Sequence, residues 1–170
     1  MFFCQLLYHG GYHAAWPAPF CPAVYDDQRV LVDSLVEARG SQGEGAAPHW
    51  QNAIDIYRGD YLQGHDDPWI TERREDFREG YLEALRELAH IRDEGGLHEA
   101  ALGLYLRGVS EASNREDLHR QVIRLYGQLG RRSEAAEHYH KLETTLQERW
   151  GISPSPETQE VYRQVVGEKP

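Results

Sequence analysis

Four side chains of types that bind zinc lie near the start of the chain, namely Cys4, His9, His13 and Cys21. Zinc sites in proteins commonly place cysteine or histidine ligands in close pairs. The two cysteines lie at opposite ends of the segment, so the spacing matches no compact pair. The favoured interpretation is an aromatic-rich segment that packs on the rest of the chain, with a metal site as the alternative. We predict no bound metal and no cofactor.

The remaining titratable residues form no recognisable catalytic pattern. Of the later histidines, His90, His98, His119, His138 and His140 lie in stretches with a helical pattern. His138 and His140 are two positions apart, so on a helix they point in different directions and do not share a metal. The sequence contains no glycine-rich phosphate loop, no His-Glu-x-x-His motif and no Gly-x-Ser-x-Gly motif. The chain is therefore predicted not to be an enzyme.

The charge of the chain indicates what it binds. With 28 acidic against 18 basic residues, the formal net charge is −10. A DNA-binding protein gains affinity by neutralising phosphates with lysine and arginine, so we predict no DNA binding by this chain alone. One concentration of arginines, made of Arg115, Arg120, Arg124, Arg131 and Arg132, favours an acidic protein partner. Nucleic acid is the alternative ligand of that cluster.

Two further features bear on location. Only two cysteines occur, which argues against a disulfide framework. No apolar run approaches the roughly 20 residues of a membrane span, and the first residues lack the basic start of a signal peptide. We therefore expect a cytoplasmic protein that does not associate with membranes.

The helices that must position any binding residues repeat with a period of 34 residues between positions 81 and 148. The matching residues are Gly96 and Gly130, Ala101 and Ala135, and Tyr105 and Tyr139. This period, with glycine where one helix ends and alanine where two helices cross, is typical of tetratricopeptide-like repeats. The predicted fold is all-α, a right-handed stack of antiparallel helix pairs with about seven helices.

The domain organisation follows from the same pattern. Residues 1–25 are interpreted as an extended or junction segment, 26–166 as the helical domain and 167–170 as a tail. The predicted helices span 26–39, 49–57, 68–95, 97–110, 114–129 and 132–149, with a last short helix after Ser155-Pro156. Asp67 is predicted to cap the long helix and Ser113-x-x-Glu116 to form a capping box. Gly80 marks a bend inside the long helix.

Two stretches outside the repeat resemble a known family. Residues 57–64 read Tyr-Arg-Gly-Asp-Tyr-Leu-Gln-Gly, and 150–158 read Trp-Gly-Ile-Ser-Pro-Ser-Pro-Glu-Thr. Together with Gly-Arg-Arg-Ser-Glu-Ala at 130–135, they resemble the bacterial transcriptional activation domain (BTAD) of SARP-type regulators. The resemblance implies a tetratricopeptide-like domain that follows a winged-helix DNA-binding domain. It also implies protein–protein contacts, including dimerisation, during transcription activation.

The chain departs from that family pattern at its start. Residues 1–25 are too few for a winged helix. The alternatives are a fragment of a longer regulator, a truncated paralogue, and a helical module that works with a separate DNA-binding partner.

Aligning the two repeats separates packing positions from positions on the concave face. The packing positions are Leu85, Leu88, Ala89, Ala101, Tyr105, Val122, Tyr126, Ala135 and Tyr139. The predicted partner-binding positions are Glu83, Arg86, His90, Asp93, Asp117, Arg120, Arg124 and Gln128. A face of mixed charge holds a protein segment through charge-assisted hydrogen bonds. The alternative is a solvated face with local ion pairs, such as Glu83 with Arg86 and Asp117 with Arg120.

These features predict a non-enzymatic protein–protein interaction module of a bacterial transcriptional regulator. Its expected partners are a second copy of the chain, RNA polymerase or a DNA-binding protein. The alternative function is a stand-alone tetratricopeptide-like scaffold or a sensor of a small ligand.

Overall fold

A computed structural model describes residues 22–59 and 67–167 of the chain. The described residues contain seven α-helices and no strand, which confirms the predicted all-α class. The helices are α1 (Pro22–Gly40), α2 (Ala47–Ile56), α3 (Pro68–Glu94), α4 (His98–Glu111), α5 (Glu116–Gln128), α6 (Arg132–Trp150) and α7 (Pro156–Val166). The four candidate zinc ligands and most of the Arg-Gly-Asp loop lie outside the described residues.

The helices pack as a stack of antiparallel pairs. Each helix packs on the next along the chain, and α5 also packs on α7. The pairs are α1 with α2, α3 with α4, and α5 with α6, while α7 covers the end of the last pair. A cover of this kind is needed because the outermost repeat otherwise exposes its apolar face.

The helix limits differ from the predicted ones mainly near the beginning. Helix α1 begins at Pro22, so the last residues of the segment predicted to be extended are helical. Helix α2 begins at Ala47 with Pro48 in its first turn, where the missing backbone N–H costs nothing. A 3-10 turn at Gly43–Gly45 occupies part of the intervening loop.

The repeat is visible in how α3 and α5 end. The backbone N–H of Leu97 donates to Arg92 O at 2.8 Å, and that of Arg131 donates to Tyr126 O at 2.8 Å. In both cases the glycine before the donor has a positive φ, +76° at Gly96 and +73° at Gly130. This C-terminal geometry favours glycine because a Cβ is strained there. The same type of turn therefore connects α3 to α4 and α5 to α6.

The core runs along the whole stack. Of the predicted packing positions, eight are buried and Tyr126 is half-buried against two of the apolar clusters. Tyr81 stacks on Tyr57 with ring centroids 4.3 Å apart, and Tyr139 stacks on Tyr162 at 4.0 Å. The stacked rings join α3 to the end of α2 and α6 to α7.

Helix α3 continues through Gly80 as a single helix of 27 residues, so the glycine does not end it, as predicted. A Cβ at this position would lie 2.6 Å from Leu35 Cδ1. The glycine therefore lets α1 approach α3 closely.

Two predicted helix caps differ in the structure. Asp67 is the N-cap residue of α3, but its side chain makes no capping bond. The predicted capping box at Ser113 and Glu116 is wrong, because Arg115 is the N-cap of α5 and no side chain caps it. Ser155, by contrast, caps α7 by accepting from the backbone N–H of Thr158.

Neither described range, 22–59 or 67–167, contains a helix long and apolar enough to cross a membrane.

Candidate partner-binding groove

The inner groove is the polar surface where α1, α3, α4 and α5 meet, and it consists of two adjoining cavities. The first, of about 470 Å³, lies between α1 and α3, with Leu35, Phe77 and Gly80 among its lining residues. The second, of about 250 Å³, is lined by Arg86, Glu87, His90, Tyr105, Asp117, Leu118 and Gln121. Arg86 lines both cavities, so the two cavities adjoin at this residue.

Four of the eight predicted partner-binding residues line this groove. Glu83 and Arg86 border the first cavity. His90 and Asp117 border the second, on opposite sides, because one belongs to α3 and the other to α5. The repeat alignment therefore places these four side chains on one surface.

Asp93 and Arg124 instead form an ion pair that joins α3 to α5. Asp93 Oδ2 accepts a 2.6 Å hydrogen bond from Arg124 Nη2, and Asp93 Oδ1 lies 2.8 Å from His98 Nδ1. Burial raises the pKa of Asp93, but the hydrogen bonds from Arg124 and His98 outweigh it and hold the pKa below its ordinary value. These residues fix the geometry of the groove.

The remaining two predicted residues lie elsewhere. Arg120 donates to Thr158 Oγ1 at 3.3 Å and so contacts α7. Gln128 is exposed at the end of α5.

The charged residues of the groove pair both across helices and with near neighbours along the chain. Glu83 accepts a bidentate hydrogen bond from Arg39 of α1, with Arg39 Nε at 3.0 Å, where the spacing predicted Arg86 as its partner. Arg86 Nη2 donates to the adjacent Glu87 at 2.8 Å. Asp117 accepts from Arg115 Nε at 3.0 Å, where the spacing predicted Arg120. Glu83, Arg86 and Asp117 are therefore each paired with an opposite charge.

The predicted arginine cluster is also largely neutralised. Arg115 contacts Asp117 and, at 3.4 Å, Glu79. Arg131 contacts Glu134 and, at 3.2 Å, Glu99. Two of the five arginines are therefore paired with carboxylates, which weakens their attraction for a phosphate backbone.

Tyr105 and Gln121 are among the groove residues that the sequence did not predict as partner-binding. Tyr105 was assigned to packing alone, and it also lines the second cavity. Gln121 lies four positions after Asp117 and hence on the same face of α5. The i, i+4 spacing from Asp117 is thus the sequence signal that predicts Gln121 on the groove face. Its Oε1 accepts from Arg124 Nε at 2.9 Å, which orients the amide.

The histidines include an unexpected pair. His119 Nδ1 on α5 lies 2.9 Å from His138 Nε2 on α6, and His119 Nε2 lies 3.2 Å from Ser113 O. Burial lowers the pKa of His119, and it lowers that of His138 to about 4. Within residues 22–59 and 67–167, no three His, Cys, Asp or Glu side chains cluster as metal ligands.

A tetratricopeptide-like stack with a polar inner groove defines a helical-repeat domain. The family model of the bacterial transcriptional activator domain matches residues 29–166. The chain therefore belongs to this family, as its flanking motifs predicted. No curated protein matches the sequence.

Two solved structures share the fold. Mycobacterium tuberculosis EmbR, solved in complex with a low-affinity phosphopeptide, has 23% identity and a TM-score of 0.67. The match covers 85% of this chain and 39% of EmbR, so the chain spans well under half of that protein. The C-terminal TPR-containing domain of a putative FK506-binding protein from Plasmodium falciparum has 14% identity and a TM-score of 0.58. That match covers 85% of this chain and 95% of the domain. These likenesses confirm the tetratricopeptide-like fold.

Proposed function

We propose that this chain is a non-enzymatic protein-interaction domain of a bacterial transcriptional regulator and that it acts in the cytoplasm. Its inner groove binds a protein partner, which is a second copy of the chain, RNA polymerase or a DNA-binding protein. The observation that carries this proposal is the groove of two adjoining cavities between α1, α3, α4 and α5 within a member of an activator-domain family.

The chemistry of the groove favours a polar protein segment. Its rim alternates acidic and basic side chains, which provide both donors and acceptors for a peptide chain. Its floor is partly apolar, with Leu35 and Phe77 in one cavity and Leu118 in the other. Helical repeats commonly present extended concave surfaces of this kind to partners.

Arg86 gives the sharpest test, because it borders both cavities and forms its salt bridge with the neighbouring Glu87. Arg86→Glu reverses the charge at the centre of the groove, and the side chain is exposed enough for the fold to tolerate it. Arg29→Glu is the matched control, since Arg29 lies on α1, outside the groove, and pairs with Asp33 in an exposed i, i+4 contact.

The measurements are sedimentation velocity of the full chain for self-association and chemical cross-linking to purified bacterial RNA polymerase. We expect Arg86→Glu to weaken whichever contact is found by about tenfold, equivalent to about 1.4 kcal/mol. Arg29→Glu should leave it unchanged. Absence of both contacts in the wild-type chain, or equal effects of the two variants, contradicts the proposal. A thermal-shift screen tests the alternative of a small-ligand sensor, which requires a clear rise in Tm with a metabolite or nucleotide.

A further inference from the structure

The hydroxyl of Tyr105 lacks a hydrogen-bond partner in the part of the chain that the structure describes. The side chain is nearly fully buried, with the residue only 4% exposed, and it lines the second cavity of the inner groove. Buried phenol groups usually find a partner, because an unsatisfied one loses its hydrogen bonds to water. Tyr81 illustrates the usual case, since its hydroxyl accepts from Arg107 Nη2 at 3.0 Å.

The second cavity is the space from which a hydrogen-bond partner can approach the Tyr105 hydroxyl. Among the described residues, no side-chain nitrogen or oxygen that is wholly shielded from solvent lacks a hydrogen bond. The unpartnered Tyr105 oxygen therefore keeps some solvent exposure, and the cavity that its side chain lines gives a partner access to it. Burial raises the pKa of Tyr105, so the hydroxyl keeps its proton and can donate to a ligand oxygen.

The charges around the cavity discriminate between ligand classes. Glu87 and Asp117 line it, and although each accepts from an arginine, their carboxylates disfavour a further carboxylate beside them. Arg86 lines it as well and repels an ammonium group. A neutral group with one acceptor and one donor avoids both penalties, and a primary carboxamide has this pattern.

The size of the cavity sets how much of the ligand enters. About 250 Å³ is smaller than typical cavities for drug-sized molecules, and it accommodates a single inserted side chain. Leu118 offers an apolar wall for the methylene groups that carry the carboxamide. Gln121, whose Oε1 is engaged by Arg124, has its amide N–H groups available as further donors.

We propose that this cavity binds the carboxamide side chain of a glutamine or asparagine presented by the partner protein. Tyr105 donates to the carboxamide oxygen, and the carboxamide nitrogen donates to Glu87 or Asp117. The inference rests on the proposed function, because it takes the inserted residue to belong to a partner that binds the inner groove.

Nuclear magnetic resonance titration of the nitrogen-15-labelled chain of 170 residues tests this directly. The probe is the pentapeptide Ala-Ala-Gln-Ala-Ala with acetylated and amidated ends, and the matched control has glutamate at its centre. We expect saturable shifts of the Tyr105 and Gln121 amide signals with the glutamine peptide and much weaker binding of the glutamate peptide. Free L-glutamine should bind more weakly than the peptide.

Tyr105→Phe removes the hydroxyl alone and should weaken glutamine-peptide binding by about three- to tenfold, as expected for one neutral hydrogen bond. Its Tm should stay near that of the wild-type chain, because the hydroxyl has no partner within the described residues. Tyr81→Phe, which removes a phenol that does not line the cavity, should leave peptide binding unchanged.

Equal binding of the glutamate peptide, tighter binding of free glutamine, or full binding by Tyr105→Phe would overturn the assignment. The two proposals fail separately, because peptide titration needs no partner protein. Failure of the proposed function appears as lost self-association and lost polymerase cross-linking, with the titration intact.

Discussion

Asp93 Oδ2 on α3 lies 2.6 Å from Arg124 Nη2 on α5, so a single ion pair connects two successive repeats across the wall of the groove. The Asp93 side chain is only 11% exposed, and its other oxygen contacts His98 of α4. A carboxylate shielded in this way loses more when a partner is removed than one on the surface. The Asp93 side chain therefore links α3 to both α4 and α5.

We expect Asp93→Asn to lower the free energy of unfolding by about 1–3 kcal/mol, the usual range for hydrogen bonds to a charged group. Asp33→Asn is the control, because the Asp33–Arg29 pair is more than half exposed on both sides and should change stability by less than about 0.5 kcal/mol. Urea unfolding followed by circular dichroism measures both. Equal stability of the two variants would contradict a structural role for Asp93.

The lowered pKa of Asp93 determines how its contribution to stability changes with pH. The folded-state pKa of Asp93 is depressed, so its stabilising contribution is present above the ordinary aspartate range and is lost as the pH falls through the folded value. The stability difference between the wild-type chain and Asp93→Asn should therefore narrow as the pH is lowered below about 4. Unfolding curves at pH 7, 5 and 3 report this difference.

The histidine pair between α5 and α6 predicts a second loss of stability at a higher pH. His119 Nε2 carries the proton that Ser113 O accepts, so its Nδ1 accepts from His138 Nε2, and both rings are neutral. Folded-state pKa values below the ordinary histidine value mean that the unfolded chain binds protons first as the pH falls. Stability is therefore complete above about pH 6.5 and decreases as the pH falls towards the folded values.

We expect the wild-type chain to lose about 1–2 kcal/mol between pH 7.5 and pH 5 through this pair. His138→Gln keeps an N–H donor but does not titrate, so its stability should vary less over the same range. His90→Gln is the control, because His90 lies exposed in an i, i+4 contact with Glu94. Parallel pH profiles for the wild type and His138→Gln would contradict this account.

The sequence predicted the helix pairs better than it predicted their contacts. The 34-residue period and the glycines at 96 and 130 located α3 to α6, because a turn that needs a positive φ leaves a local signal in the sequence. Glu116 shows where such signals mislead. Its position fits a capping box, but its carboxylate accepts hydrogen bonds from Ser155 and Thr158, which the fold brings close.

For the groove too, the sequence predicted the face on which residues lie better than it predicted their contacts. Repeat alignment identified Arg86, His90 and Asp117, since helical spacing fixes the face of a residue. It did not identify the partner of Glu83, because Arg39 belongs to a helix outside the repeat. It also assigned Tyr105 to packing alone, since periodicity shows burial and not whether a hydroxyl is satisfied.

The contact between Glu116 and α7 gives the family motif near Ser155 a structural reason. Glu116 Oε2 accepts from the backbone N–H and hydroxyl of Ser155 at 2.9 Å each and from Thr158 Oγ1 at 2.6 Å. Burial raises the pKa of Glu116, but the hydrogen bonds from Thr158 and Ser155 outweigh it and keep the pKa below its ordinary value. Glu116 Oε2 thus links α5 to α7 through three hydrogen bonds.

Thr158→Val removes the buried hydroxyl with little change of shape, so it isolates this attachment. We expect a loss of about 1–3 kcal/mol and faster hydrogen exchange in α7. Thr144→Val is the control, because the Thr144 hydroxyl bonds only within α6, to His140 O at 2.9 Å, and is exposed. Unchanged exchange in α7 of Thr158→Val would show that apolar contacts alone hold the helix.

Those apolar contacts include a glycine at which the two helices touch. A Cβ on Gly127 of α5 would lie 2.7 Å and 3.0 Å from the two γ-carbons of Val165 on α7. Overpacking of this kind costs about 1–3 kcal/mol, while replacing a helical glycine by alanine gains about 1 kcal/mol. Because valine is branched at Cβ and stiff, the steric cost should prevail and Gly127→Ala should lower the Tm.

Gly103→Ala makes the same replacement in α4, where a Cβ meets nothing within 4 Å, so it should raise the Tm. Differential scanning calorimetry of the two variants separates the effects, and a rise in both would mean that α7 shifts away from α5 without cost.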